Sequence, residues 1–438
     1  MQNDRKTIFG WCMYDWANSA YATTVLAGLL PAYFADAVVG ERSVTLAGST
    51  YSATSLWGFS VSAAALIAFL IAPVLGATAD FSTAKKRFLL AFAYGGALFT
   101  TLLFFCREGD VAMTLIFFVI AQLGFVGGNV FYDAFLPVIA SDDTMDRVSG
   151  RGYAYGYVGG GLQFAIALGL VAGHDALGIS QAFAARMGLG LAGLWWAGFT
   201  LFTVVLVHEP QAVATLPARY ARWPRPAAYL AVGLSRTLST LQRIRRFRHL
   251  VLFLVAFMLY NDGIQTVIAM ATIYGKDELQ LSTNTLMATL LIIQAVAMVG
   301  AVLFSRIAQH TGTKPAVIIS LVIWSLVVLY AYFIHSQTEY LILGVVVGLV
   351  LGGSQALSRS YYGAMIPQHA SAEFYGFYTV FSKFSAIWGP LQFALIDKVF
   401  GSARLAIVSL VVLFIGGMIL LAFVDDQQAR QARLEEAF

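Results

Sequence analysis

The sequence predicts an all-α membrane protein: twelve transmembrane helices in two pseudo-symmetric six-helix halves, with both termini cytoplasmic. Three observations predict it. Of the 438 residues, 59% are hydrophobic and 11% charged, at a mean hydropathy of +0.75, a composition that excludes an ordinary soluble domain. Apolar segments long enough to cross a bilayer, roughly 20 residues each, recur twelve times along the chain. The chain also repeats itself at an offset of about 229–230 residues, as expected of two related halves.

The segments fall at about 8–37, 52–79, 87–106, 111–139, 152–173, 187–207, 250–274, 283–308, 315–334, 340–366, 373–397 and 404–424, the sixth and ninth placed on hydropathy alone. The first run is too long for a cleavable signal peptide, contains Asp15 and lacks a small-residue cleavage site. With the N-terminus inside, 19 Lys and Arg fall in cytoplasmic segments and 6 on the opposite side, leaving Arg359 and Lys383 within helices. That asymmetry sets the orientation, and the net charge of +4 needs no nucleic-acid partner. Cys12 and Cys106 fall near opposite faces of the bilayer, too far apart for a disulfide.

One long linker, 209–248, separates residues 1–208 from residues 249–438. Arg219, Arg222, Pro224, Arg225 and Pro226 open it, and Leu230, Leu234, Leu238, Leu241 and Ile244 then recur at helical spacing opposite Arg236 and Arg243. The pattern fits a helix lying on anionic lipid at the inner surface or a solvated basic linker. The repeat is visible on either side of it. Tyr132–Pro137 aligns with Tyr362–Pro367, Gly160–Ala165 with Gly389–Ala394, and Asp80 and Lys85 with Gln309 and Lys314. The first segment of each half breaks this register. Two halves of like orientation place a substrate path between them.

Polar residues inside apolar segments mark candidate sites, since an unpaired carboxylate in hydrocarbon costs roughly 2.5–3.5 kcal/mol on insertion scales. In the first segment Trp11, Asp15, Asn18 and Ser19 share one broad face, with Tyr14 and Tyr21 beside it; Asp15 either serves a site or caps the helix near water. The seventh carries Tyr260, Asn261, Asp262, Gln265 and Thr266, with Asp262 the deeper carboxylate and the better candidate for an ammonium or cation contact. In the fourth, Gln122, Asn129 and Asp133 form one stripe, and in the tenth Gln355, Ser358, Arg359 and Tyr362 answer it, with Lys383 the other buried base. Arg359 and Lys383 either receive a substrate carboxylate or neutralise neighbouring acids.

The loop Gly76-Ala77-Thr78-Ala79-Asp80-Phe81-Ser82-Thr83-Ala84-Lys85-Lys86-Arg87 resembles the signature between helices two and three of the major facilitator superfamily. Gly76 permits close helix approach, Asp80 can hold a helix N-terminus or pair with a base, and Lys85, Lys86 and Arg87 anchor the loop at headgroups. Within that superfamily, Trp11–Tyr21, Leu259–Thr266 and Gly352–Ser360 resemble the vacuole-effluxer-like branch, named for a fungal autophagy protein that releases amino acids from the vacuole. Length and short loops are more similar to bacterial members, which implies the plasma (inner) membrane. The resemblance implies the major facilitator fold, a central cavity faced by both first-helix clusters, and rocking of the halves about it as the gate loop opens and closes.

An acid on one side and a base on the other suit a zwitterion such as an amino acid, between aromatic walls from Trp16, Tyr21 and Tyr260. Gly159–Gly161 and Gly124, Gly127 and Gly128 lack the Lys-Ser/Thr of a phosphate loop, and no catalytic triad, metal-ligand spacing or cofactor motif occurs. The expectation is a monomeric transporter, not an enzyme, with no cofactor: small solute as substrate, efflux favoured, protons as candidate coupling ion through Asp15, Asp133 or Asp262, and membrane lipid as surroundings. A receptor or assembly subunit on the same fold is the alternative.

Overall fold

A computed structural model describes residues 2–40, 44–46, 49–209, 216–217, 220, 222–242, 247–385 and 388–435, without the side chains of 44–46, 49, 277, 283 and 284. Arg42, Arg219, Arg243, Ile244, Arg245 and Arg246, which entered the charge and linker patterns, lie outside the described residues.

Among the described residues, eleven helices are long and apolar enough to cross a membrane. Six precede the linker: α1 Arg5–Val39, α2 Ala53–Ser82, α3 Lys85–Phe105, α4 Val111–Ile139, α5 Met145–Ala172 and α6 Gln181–Leu206. The linker carries α7, Arg225–Gln242. There follow α8 Arg248–Lys276, α9 Thr285–Thr311, α10 Thr313–Ala331 and α11 Gln337–Met365, then the shorter α12 Ser371–Phe384 and α13 Trp388–Phe400, α14 Ala403–Ala422, and the tail helix α15 Asp426–Glu435. A small antiparallel hairpin, β1 Val44–Leu46 and β2 Ser49–Tyr51, joins α1 to α2. Helices α1–α6 are the N-half below, and α8–α14 the C-half.

Helix starts have local causes. Asp4 accepts the Thr7 N–H at 2.8 Å at the head of α1. At the far face, opposite the termini, serine oxygens cap α2 (Ser52), α6 (Ser180), α9 (Ser282), α11 (Ser336) and α14 (Ser402), each accepting one of the N–H groups that a helix start leaves unpaired. Ser336 and Glu339 close a reciprocal capping box.

Two elements depart from the sequence expectation. The segment at 373–397 is not one helix: α12 ends at Phe384 and α13 begins at Trp388. Pro390 explains the break, because it has no N–H for the carbonyl four residues earlier, while inside the first turn of α13 that N–H is not needed. Helix α1 is not uniformly α-helical. Tyr21–Leu29 and Phe34–Val39 wind as π-helix, with the Leu30 N–H reaching the Val25 carbonyl five residues back. Such wide turns are frequent at functional sites, and this one starts just beyond the Asp15–Asn18 cluster.

α7 buries Ala228, Val232, Gly233 and Thr237; Gly233 sits against Thr78 of α2 and the Thr237 hydroxyl reaches the Pro73 carbonyl at 3.4 Å. Its leucine row, Leu230, Leu234, Leu238 and Leu241, stays exposed on the other side. At the termini face α2 and α12 pack backbone to backbone: a Cβ on Gly76 would strike the Ala372–Glu373 backbone, and one on Gly376 the Ala72–Pro73 backbone. Such reciprocal glycines allow the closest helix approach. Cys12 and Cys106 are free and buried.

Candidate functional site

A cavity of about 460 Å³ lies between the halves, lined from Asp15, Asp133 and Arg359 at its floor to Tyr274, Ile334 and Tyr340 toward the far face. Its floor is built around Arg359 of α11, whose side chain is 2% exposed. The Nη1 group lies 3.2 Å from Asp133 Oδ1 on α4 and 3.5 Å from Asp15 Oδ2 on α1. Nη2 donates to the Ser149 carbonyl at 2.8 Å and Nε to the Ser149 hydroxyl at 3.0 Å. Around the guanidinium stand the rings of Tyr153, Trp11 and Tyr132, at 4.1, 4.9 and 5.2 Å from their centroids.

This setting answers the cost of burial. A guanidinium out of water needs counter-charge and filled donors, and Arg359 has two carboxylates, a carbonyl, a hydroxyl and three ring faces. Trp11 is held by its Nε1–H to the Tyr132 carbonyl at 2.7 Å and by stacking on Tyr132 at 4.3 Å. The Tyr132 hydroxyl donates to Asp15 Oδ2 at 3.0 Å. These partners of the Arg359 side chain, Asp15, Asp133, Ser149 and the three rings, belong to the N-half, so the cluster joins the halves at the cavity floor.

Above the floor, polar pairs line the walls. Asn18 donates to Asn129 at 2.6 Å, Tyr157 of α5 to Gln355 of α11 at 2.6 Å, and Gln294 of α9 to Thr23 of α1 at 2.8 Å; the last two cross between halves. Tyr260 and Ser358 share a hydrogen bond at 2.7 Å, and Asn261 donates to Ser385. Gln265 and Lys383 also line the cavity. Among the described residues, the Lys383 side chain has no hydrogen bond or ion pair partner.

Ten of the twelve cavity residues expected from sequence come together here: Asp15, Asn18, Asn129, Asp133, Tyr260, Asn261, Gln265, Gln355, Arg359 and Lys383. Tyr14 and Asp262 are not in the lining. Tyr14 is fully buried with its hydroxyl against Gly128 of α4. Asp262, 1% exposed, turns to α13 and accepts the Gly389 N–H at 2.8 Å, capping the helix whose first turn holds Pro390.

Asp262 is also not the counterpart of Asp15. Gly160 of α5 packs on Ser19 and Thr23, and Gly389 of α13 packs on Asp262 and Thr266, so position 19 answers to 262, Asn18 to Asn261, and Asp15 to Met258. Trp16 and Tyr21 do not wall the cavity either; Tyr153, Tyr157, Tyr260 and Tyr378 do. Tyr153, Tyr157 and Ser149 were missed by sequence reading. Spacing alone was available to find the two tyrosines, which stand at i and i+4 on α5.

At the termini face the gate loop docks on the C-half. Asp80 pairs with Lys85 at 2.9 Å and accepts the Ala372 and Glu373 N–H groups at 3.2 and 2.8 Å, a carboxylate at the start of α12 where the helix dipole favours it. Lys85 Nζ also donates to the Ser371 hydroxyl at 2.8 Å. The Lys85 and Lys86 N–H groups are taken by Glu209 at 2.8 and 2.9 Å, Lys86 Nζ reaches the Val204 carbonyl at 2.6 Å, and Arg87 is exposed. In the second copy Gln309 is exposed and Lys314 caps the end of α14 through the Ala422 and Val424 carbonyls, at 2.9 and 2.7 Å. Asp146 of α5 adds a further crossing, accepting from Thr313 at 2.7 Å and Ser360 at 2.5 Å.

Comparison with known proteins agrees with this architecture. The MFS-type transporter YxiO of Bacillus subtilis (strain 168) is 33% identical over 95% of this chain and 94% of its own. Autophagy-related protein 22 of Coccidioides immitis (strain RS) is 24% identical over 99% of this chain and 89% of its own. Among solved structures, the proton:xylose symporter XylE matches with a TM-score of 0.70 at 14% identity, covering 99% of this chain and 97% of that one. The human organic anion transporter MFSD10 matches at 0.68 and 16%, covering 96% and 100%. These likenesses show the major facilitator fold, and the protein is a multi-pass integral membrane transporter rather than an enzyme. The family model described as "Vacuole effluxer Atg22 like" matches residues 3–434, and the chain belongs to that family.

Proposed function

We propose that this protein is a secondary transporter that exports a small zwitterion of the amino-acid class, as a monomer in the plasma membrane, by rocking of its halves about the central cavity. In this reading α12 and α13 together make a further crossing beside the eleven apolar helices, giving twelve spans with both termini cytoplasmic. The state described is then outward-facing: sealed at the termini face by Asp80, Lys85 and Asp146, with the cavity continuing to the far face.

The observation that carries the substrate class is the unequal pairing of charges along one cavity. Lys383 lines it without a partner among the described residues, ready for a carboxylate. At the floor one cation, Arg359, faces two carboxylates, Asp15 and Asp133, so a proton or a substrate ammonium brings that cluster to neutrality. The volume of about 460 Å³ lies within the roughly 300–1,000 Å³ of small-molecule sites, and tyrosines such as Tyr153, Tyr157, Tyr260 and Tyr378 supply apolar walls with polar tips.

Flux in proteoliposomes tests this, measured across a panel of amino acids, peptides and sugars with and without a proton gradient. Amino-acid flux that responds to the gradient is expected. No flux of any solute by folded protein overturns the reading and leaves a receptor on a transporter fold.

A further inference from the structure

A second concavity, also about 460 Å³, lies on the flank of the bundle along the seam between α5 and α9; Trp16, Val158, Met298, Val302, Leu303 and Arg306 line most of it. It shares no lining residue with the central cavity. Behind it the two helices meet closely: Gly150 packs on Ser305 and the Ala301 carbonyl, and Ala154 packs with Ala301. The groove is therefore apolar and bounded by one wall from each half.

Its mouth is basic. Arg151 follows Gly150 on one wall and Arg306 follows Ser305 on the other, so the two arginines leave the backbone beside the same contact. Arg147 stands one turn before Arg151 on α5. All three are exposed, and among the described residues none has an acidic partner; nearby Asp146 is occupied by Thr313 and Ser360. Unpaired arginines near the membrane face at the end of an apolar slot match a lipid phosphate on an acyl chain.

We propose that this groove is a binding site for an anionic phospholipid, its phosphate between Arg151 and Arg306 and one acyl chain along Val158, Met298 and Val302. Such a lipid touches both halves at once, so it favours the conformer in which α5 and α9 lie this close. The site stands whether or not the chain transports an amino acid.

Native mass spectrometry of the full chain tests it, with phosphatidylglycerol and phosphatidylcholine of identical acyl chains added in equal amounts. Preferential retention of phosphatidylglycerol is expected, falling roughly fivefold for each arginine removed in Arg151→Gln and Arg306→Gln. The control Arg222→Gln/Arg225→Gln removes two charges from the linker and is expected to leave retention unchanged. Val302→Trp fills the slot without touching charge and is expected to abolish the preference. Equal retention of the two lipids by the wild type, undiminished retention in the Arg151→Gln/Arg306→Gln variant, or undiminished retention in Val302→Trp each overturns the proposal. A thermal-unfolding series in nanodiscs of rising phosphatidylglycerol content separates lost binding from lost folding.

Discussion

Arg359 on α11 lies 3.5 Å from Asp15 on α1, and the contact spans the two halves of the protein at the floor of its cavity. Because Asp133 on α4 shares the same Nη1 group at 3.2 Å, Arg359 is the point through which charge in the cavity is felt by the packing of the halves. Separating the halves at this level pulls the arginine away from both acids and from Ser149.

Arg359→Ala leaves two carboxylates buried without a cation, and breaking a buried pair from one side typically costs about 3–5 kcal/mol. The expected result is a large fall in the melting temperature of purified protein and loss of flux. Asp15→Asn in the Arg359→Ala background removes part of the uncompensated charge and is expected to recover part of the stability but no transport. A double variant as unstable as the two single losses added together would show that Asp15 and Arg359 are not coupled.

Asp80 holds the termini face shut through the first turn of α12. Asp80→Asn keeps the shape but loses the ion pair to Lys85 and weakens the cap on Ala372 and Glu373. A loss of about 1.4 kcal/mol corresponds to a tenfold change in the ratio of two states. The expected outcome is faster labelling of a Ser358→Cys reporter by an impermeant thiol reagent added at the termini face. Native Cys12 and Cys106 are buried and give a low background. Unchanged labelling would count against Asp80 as a gate residue.

Among the described residues Lys383 is the cavity's uncommitted cation, so its substitution separates binding from folding. Lys383→Gln is expected to raise the KM for an amino-acid substrate by 10-fold or more, since hydrogen bonds to charged groups contribute about 1.5–3 kcal/mol, while the melting temperature holds or rises once a half-buried charge with no ion-pair partner among the described residues is gone. Lys383→Arg is expected to restore part of the affinity. An unchanged KM in Lys383→Gln would remove the carboxylate-binding role.

Much of this arrangement was legible before the structure, and the misses have specific causes. Apolar runs revealed the helices because a bilayer demands length, and rare charges inside them revealed Asp15, Asp133, Arg359 and Lys383 because the bilayer makes each expensive. The Gly76–Asp80–Lys85 spacing revealed the loop. Hydropathy could not reveal the break before Trp388 or the π-wound stretch from Tyr21, since both leave composition apolar. Tyr153 and Tyr157 carry no charge to draw notice among the glycines of α5. Asp262 drew notice as a carboxylate deep in an apolar segment, and nothing in the sequence shows that it turns to the start of α13; its register is set by Gly160 and Gly389 packing on α1 and α8.

That register gives the last prediction. Neighbouring residues on a helix point about 100° apart, so Asn261 faces the cavity while Asp262 faces α13. If Asp262 acts as a cap, Asp262→Asn retains an oxygen for the Gly389 N–H and is expected to transport with a near-normal KM. Asp262→Ala loses the acceptor and is expected to destabilise the protein by roughly 1–2 kcal/mol, the usual range for a lost helix cap, with KM changed less than its melting temperature. If Asp262 instead carries a proton or an ammonium, Asp262→Asn abolishes gradient-driven flux in protein that melts like the wild type. Measuring melting and flux on both variants decides between these roles, because only the cap makes the alanine change worse than the asparagine one.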